Sequence, residues 1–250
     1  MNPTVISSLT KPVRIKASSK PAQLSKDYQQ KVENFWEVVN ANHRFTRGEV
    51  FFVESIVEKQ DFYDINLVVS DYAHYLYSVR SERKELESCK VIYGAGLVET
   101  KDSFLIFGEM ANHTAYPQRL QCVGGGLSKE DLNDGFFDLE RNVLRELTEE
   151  LGIHYPEDIQ NCSVKYIKTG GTYDFIAVLY HIQLNVTLQQ FQERYEAFCQ
   201  DLLSNGEVPE FQDIIYLKND SQTINNYLQH ETRLSVDYLF PLLKQLLNES

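Results

Sequence analysis

No apolar run in this sequence is long enough to span a bilayer, and its cysteines are few and scattered. A membrane-spanning helix needs about 20 apolar residues, so none is expected here. Cys89, Cys122, Cys162 and Cys199 show no CxxC spacing, which argues against a zinc site or a disulfide scaffold built from them. The first residues lack the apolar core of a signal peptide. Scattered thiols suit a reducing compartment, so a cytoplasmic location is expected. Positive charge is also short: 24 Lys and Arg face 36 Asp and Glu, a formal net charge of -12. Binding to nucleic acid or to an anionic membrane needs clustered Lys and Arg, so neither is expected as a partner. A small anionic substrate stays open, because a bound metal inverts the local charge.

Aromatic residues are plentiful, with 15 Tyr and 14 Phe, and the 250 residues suffice to bury a core without staples. Residues 1–26 carry five basic residues and no acid, and read as a basic tail with one strand at 12–17. Solvated surface and a targeting or contact role are both open for it. Residues 27–89 read as an N-terminal extension: a helix at 27–42, strands at 48–57 and 63–70, and a helix at 71–88. Residues 90–250 are denser in strands. Strands are expected at 91–100 and 103–110 as a hairpin, then at 119–123, 161–168, 172–186 and 210–217. Helices are expected at 138–152, 187–203, 221–229 and 233–247. That order predicts an α/β (α+β) architecture, a mixed sheet covered by helices.

The segment LRELTEELGI at 144–153 carries the chemistry. Its helix has Asp138 as N-cap and Gly152 as terminator. Val143, Leu147 and Leu151 form the buried stripe. Glu146, Glu149 and Glu150 share the face beside it, and Arg145 lies four residues before Glu149, within reach of a salt bridge. Three carboxylates on one face repel each other unless a cation lies between them, and Mg²⁺ takes oxygen ligands of this kind. A solvated acidic face is the alternative. Before the helix stands CVGGGLS at 122–128. Gly124, Gly125 and Gly126 let the backbone turn sharply and let a phosphate approach main-chain N–H groups.

Strand, glycines, loop, acidic helix and glycine stop together resemble the Nudix hydrolase family, whose signature is G-x5-E-x7-R-E-U-x-E-E-x-G-U with U a bulky aliphatic residue. Arg145, Glu146, Leu147, Glu149, Glu150, Gly152 and Ile153 match its second half without a gap. The resemblance implies an α/β/α sandwich and cleavage of the pyrophosphate bond of a nucleoside diphosphate linked to another moiety. It also implies a requirement for Mg²⁺ or Mn²⁺. Glu149 and Glu150 would be the main metal ligands, Glu146 a ligand or water-activating neighbour, and Arg145 the orienting residue. The substrate would be a small nucleotide. Nudix proteins often form homodimers, and the extension is a candidate contact. FW early in the extension and DYAHYLYS later resemble the N-terminal region of UDP-glucose-type Nudix pyrophosphatases, which suggests an NDP-sugar. A non-catalytic Nudix-fold module that binds nucleotides or nucleotide sugars is the alternative, and a structural protein with an incidental acidic helix a third.

The first half of the box departs from the pattern. Gly126 stands nineteen residues before Arg145 where the pattern has fourteen, so the loop LSKEDLNDGFFD is about five residues too long. The position of the first glutamate holds Phe137, with Asp138 and Glu140 the nearest acids, and Gly135 is an alternative turn into the helix. Outside the box, Glu210 and Asp213 are candidates for a general base, with surface acids at a strand edge as the plainer reading. Arg119 is a candidate contact to a substrate phosphate. Tyr93, Tyr116 and Tyr173 suit core packing or stacking on a base. His181 suits a satisfied structural role.

Overall fold

The computed structural model describes residues 3–81 and 85–249. The strands are β1 (Val5–Ser8), β2 (Val13–Pro21), β3 (Glu49–Glu58), β4 (Tyr63–Asp71), β5 (Ile92–Glu99), β6 (Phe104–Met110), β7 (Leu120–Gln121), β8 (Leu132–Asn133), β9 (Phe136–Phe137), β10 (Ile159–Thr169), β11 (Ile176–Leu184) and β12 (Phe211–Lys218). The helices are α1 (Lys26–Val39), α2 (Tyr72–Arg80), α3 (Leu139–Leu151), α4 (Leu188–Ser204), α5 (Ser221–His230) and α6 (Leu239–Glu249).

One sheet runs β1-β10-β11-β5-β6-β12, with β7 also on β6. It is mixed: β11 and β5 run parallel and the other neighbours antiparallel. Its central strands are apolar on both faces, as burial on both sides requires. Alternate residues serve different cores. On β6, Ile106 joins the core with Val143 and Leu147 of α3 and Phe191 of α4. Its neighbours Leu105 and Phe107 join the opposite core with Ile224 of α5 and Leu242 and Leu243 of α6. The expected α/β/α layering follows from that period-two split.

A second sheet, β3-β4-β2-β9-β8, holds most of the extension. Its inner residues Ile15, Phe51, Val53, Ile65 and Leu67 belong to the same core as α3. The segment expected as a tail with one strand supplies two strands. β1 takes the open edge of β10, and β2 lies between β4 and β9 with Ile15 buried. Two of its five basic side chains are engaged: Lys11 pairs with Glu58 at 2.6 Å, and the Arg14 guanidinium lies 4.3 Å from the centre of the Phe62 ring.

Two helices are shorter than expected. α2 ends at Arg80, where Ser78 on its last turn accepts the Cys89 amide at 2.7 Å; part of the expected 71–88 helix, residues 82–84, lies outside the described residues. α6 starts at Leu239 because the chain before it runs beside β7: Leu120 donates to Leu234 and accepts from Val236.

The lengthened loop has its own structure. After a short 3-10 turn at Lys129–Asp131, β8 and β9 form a hairpin turned by Asp134 and Gly135, both at positive φ. An Asp-Gly pair suits that two-residue turn, because both positions need the left-handed region. Gly135 is thus the hairpin turn rather than the turn into the helix. Phe137 is buried, packs edge-on against Phe51 at 4.6 Å, and pairs in register with Ile15. The extra residues tie the glycine loop to the N-terminal sheet.

Candidate active site

α3 forms as its sequence dictates. Asp138 caps it by accepting from the Glu140 and Arg141 amides, and Gly152 closes it in the left-handed conformation. Leu139, Val143, Leu147 and Leu151 anchor it in the core, so its rotation is fixed. That rotation buries Glu146 and Glu150 and leaves the Glu149 side chain half exposed.

Arg145 holds the cluster together. It donates to Glu149 at 2.7 Å, pairs with Glu146 at 2.8 Å, and meets Asp131 at 3.2 Å. Asp131 was missed by the sequence reading. It is fully buried and accepts from the Ser128 amide at 2.8 Å, from Asn142 Nδ2 at 3.2 Å, and from Arg145. The signal was present: Asp131 stands five residues after Gly126 and closes an S-x-x-D box on Ser128. The acid expected near Phe137 therefore stands ahead of the hairpin, and the extra residues follow it.

The glycines wrap the carboxylates. The Gly124 amide donates to Glu150 at 3.1 Å. A Cβ on Gly125 would lie about 2.6 Å from the Glu146 carboxylate, so any larger residue there would displace that side chain. The Gly124 N–H thus serves a glutamate rather than standing free for a phosphate.

Glu210 joins the cluster from the start of the last strand. Burial pushes the Glu146 carboxyl up to about 7, and repulsion from Glu149 and Glu210 adds to the rise, against the pull of Arg145. Glu150 is raised well above the ordinary range by burial, then by Glu210 and Glu146. Glu210 is itself raised by burial and by Glu149. Glu146, Glu150 and Glu210 are thus all raised, chiefly by burial, beside a single guanidinium, which Asp131 also engages.

The donor set is all oxygen and in excess of positive charge, which is the chemistry of a site for a hard divalent cation. The side chains are not gathered into a cage. Among the described residues, no three His, Cys, Asp or Glu side chains sit together as a group that could hold a metal ion. Arg145 instead pairs with the carboxylates of Glu146 and Glu149.

A cavity of about 760 Å³ opens beside the cluster, lined by Gly124, Gly125, Gly126, Arg119 and Glu210. That volume lies within the usual range for small-ligand sites. The extension supplies part of its wall, through Glu49, Phe51, Tyr72 and Tyr75. Tyr93, Tyr116 and Tyr173 line it while packing on other aromatics: Tyr116 on Tyr173 at 5.9 Å, Tyr173 on Phe175 at 5.4 Å, and Tyr93 on Tyr238 at 6.4 Å. Asp213 is not in this wall; its exposed side chain pairs with Arg233 at 3.3 Å. His181 binds Glu99 at 2.7 Å, and Asn219 holds the other oxygen of Glu99, a satisfied structural arrangement.

No family model matches the chain, and no curated protein matches it. Solved structures of Nudix proteins are similar to it at low identity. A MutT protein from Methanosarcina mazei is 15% identical, across 66% of this chain and 98% of its own, with a TM-score of 0.39. The NUDIX domain of Shewanella oneidensis NrtR complexed with ADP ribose is 14% identical, across 64% of this chain and 88% of its own, with a TM-score of 0.36. A bifunctional NMN adenylyltransferase/ADP ribose pyrophosphatase from Francisella tularensis, complexed with AMP and a manganese ion, is 12% identical, across 70% of this chain and 46% of its own, with a TM-score of 0.44. At these identities and scores the likeness says nothing of substrate or activity, which rest on the site's own residues. Among the described residues, no helix is long and apolar enough to cross a membrane.

Proposed function

We propose that this chain is a Mg²⁺- or Mn²⁺-dependent Nudix-type hydrolase that cleaves the pyrophosphate bond of a nucleoside diphosphate linked to another moiety, with an NDP-sugar as first candidate. One observation carries the reading: Glu146, Glu149 and Glu150 on one helix lie within electrostatic reach of Glu210 from a distant strand, beside a nucleotide-sized cavity, with one guanidinium among them. Glu146, Glu149 and Glu150 would hold the cation, in competition with Arg145, which pairs with Glu146 and Glu149. When bound, the cation supplies Lewis-acid polarisation of the phosphoryl oxygens.

The chain's own residues do the rest. Asp131 and Arg145 orient the glutamates, as outer partners orient metal ligands. Arg119 has no ion-pair partner among the described residues and is the cavity's candidate for a substrate phosphate. Glu210 also lacks a cationic partner among them, and it takes the proton of the attacking water. Gly124 holds Glu150 through its amide, and Gly125 lies against the Glu146 carboxylate. The phenol of Tyr93 stays neutral, because burial raises it far above the ordinary range.

The test is product analysis by chromatography after incubation with Mg²⁺ and a panel of UDP-sugars, ADP-ribose, dinucleoside polyphosphates, NADH and nucleoside triphosphates. Glu149→Gln/Glu150→Gln runs beside it. Cleavage to a nucleoside monophosphate that disappears in the double variant is the expected result. No turnover across the panel with either metal overturns hydrolysis and leaves a binding module.

A further inference from the structure

Lys168 is among the largest fully buried side chains of the described residues, and an ammonium in that position is unusual. It is 1% exposed, yet it lines the cavity, and burial pulls its ammonium below the ordinary lysine range. Two acceptors hold it: the Phe175 carbonyl at 3.1 Å and Asp237 Oδ2 at 2.8 Å. Asp237 also lines the cavity and is partly open to it. It precedes α6, far in sequence from β10, which carries Lys168. A buried ion pair is weak support for a fold, since well-packed apolar residues in its place are often as stable. A pair kept at a cavity wall therefore points to recognition.

The pair's chemistry limits what it can meet. Its net charge is zero, and its carboxylate repels phosphate, so the anionic part of a ligand belongs with Arg119 and the carboxylate cluster instead. The two groups bond to each other at 2.8 Å, and the ammonium N–H and second carboxylate oxygen that this bond leaves over match a ligand edge on which an acceptor and a donor are neighbours. The surrounding surface is aromatic: the Phe175 ring, on the residue whose carbonyl holds Lys168, stacks on Tyr75 at 5.8 Å and 24°. A flat, neutral ring with adjacent donor and acceptor atoms is a nucleobase. We propose that Lys168 and Asp237 are the specificity residues of the cavity, reading the hydrogen-bonding edge of a nucleobase seated against Tyr75, Tyr173 and Phe175. The proposal rests on the reading of the cavity as a nucleotide site.

Discrimination by such a pair is strong, because the wrong edge sets donor against the lysine N–H or acceptor against the carboxylate, where the right edge would bond to both. Titration calorimetry of the full chain in Mg²⁺ with UMP, GMP, AMP, CMP and ribose 5-phosphate measures it without turnover. The expected result is one nucleotide binding at least about tenfold more tightly than ribose 5-phosphate. Asp237→Asn then removes that preference or changes the ranking of the four, while ribose 5-phosphate affinity stays the same. Lys168→Met/Asp237→Leu removes both charges, orphans neither, and is expected to give the same loss should the single variant fail to fold. Equal binding of ribose 5-phosphate and all four nucleotides overturns the dyad alone. Equal weakening of all five ligands in the variants does so too, assigning the pair to structure. If none of the five binds, the nucleotide reading of the cavity falls, and the dyad with it. A chain that binds with base preference but hydrolyses nothing keeps the dyad and loses only the hydrolase.

Discussion

Replacing Asp131 by alanine removes the acid that holds the centre of the site. Its carboxylate is fully buried and accepts from the Ser128 amide, from Asn142 and from two nitrogens of Arg145, at 2.8 to 3.2 Å. The Arg145 side chain is only 19% exposed, so water replaces the lost partner poorly. Breaking a buried pair by removing one partner costs about 3–5 kcal/mol, most of it the orphaned charge. Arg145 keeps Glu146 and Glu149, which sets the expectation at the lower end, about 3 kcal/mol. For a chain of this size that lowers the melting temperature by roughly 6–12 °C.

Urea denaturation followed by tryptophan fluorescence and circular dichroism measures the loss as a shift in midpoint at constant slope. Glu130→Ala is the control, because Glu130 is exposed and its side chain caps nothing. A second effect separates positioning from mere stability. Without Asp131, Arg145 is drawn wholly to the glutamates, and Mg²⁺ must compete with it. The apparent metal affinity of Asp131→Ala should fall about 10–100-fold at a temperature where the variant is fully folded. A stability loss below about 1 kcal/mol would refute the account of a buried anchor. Unchanged metal affinity would refute the claim that Asp131 acts through Arg145.

Three further outcomes follow from the same geometry. Mg²⁺ at about 100 times its dissociation constant should stabilise the chain by about 2.7 kcal/mol, seen as a raised melting temperature that chelator reverses; an equal rise in Glu149→Gln/Glu150→Gln would sink the ligand assignment. Gly125→Ala drives a methyl into the Glu146 carboxylate, so turnover should drop at least about tenfold while stability changes by less than about 1 kcal/mol; full activity in a folded variant would show that Glu146 has room to move. Arg233 beside Glu231 depresses that carboxyl from 4.5 to about 2. A depressed carboxyl stabilises the fold above its unfolded value and ceases to do so as pH falls through the folded one. Denaturation across a pH series should therefore show wild type more stable than Glu231→Gln above pH 4.5, with the gap closing as pH falls toward 2; a gap that persists at the acid end assigns it to something other than this ionisation.

Most elements were legible because their signals are local. The period-two alternation of β6 and the 3.6-residue stripe of α3 state which residues face a core, and Asp138 and Gly152 state where the helix begins and ends. The salt bridge from Arg145 to Glu149 follows from helix geometry alone. What was illegible depends on pairing across long separations. β1 is four residues with an exposed, mixed pattern, and it becomes a strand only because β10 offers an open edge more than 150 residues later. The start of α6 is delayed because residues 234–236 find backbone partners on Leu120.

The site shows the same division, and it explains why the lengthened loop can be tolerated. The helix half of the box keeps its spacing, since shifting one residue would swing the glutamates off the buried face. The loop half needs an acid that reaches Arg145, and a small residue where the backbone passes Glu146 leaves that carboxylate in place. Both conditions are met by Asp131 and Gly125, whatever length separates them from α3. Residues 132–137 are then free to serve another purpose: they fold into a hairpin whose Phe137 packs on Phe51 and pairs with Ile15 of the N-terminal sheet. That sheet and α2 in turn supply Phe51, Tyr72 and Tyr75 to the cavity wall. The insertion that breaks the spacing of the motif thus fastens the extension that completes the cavity.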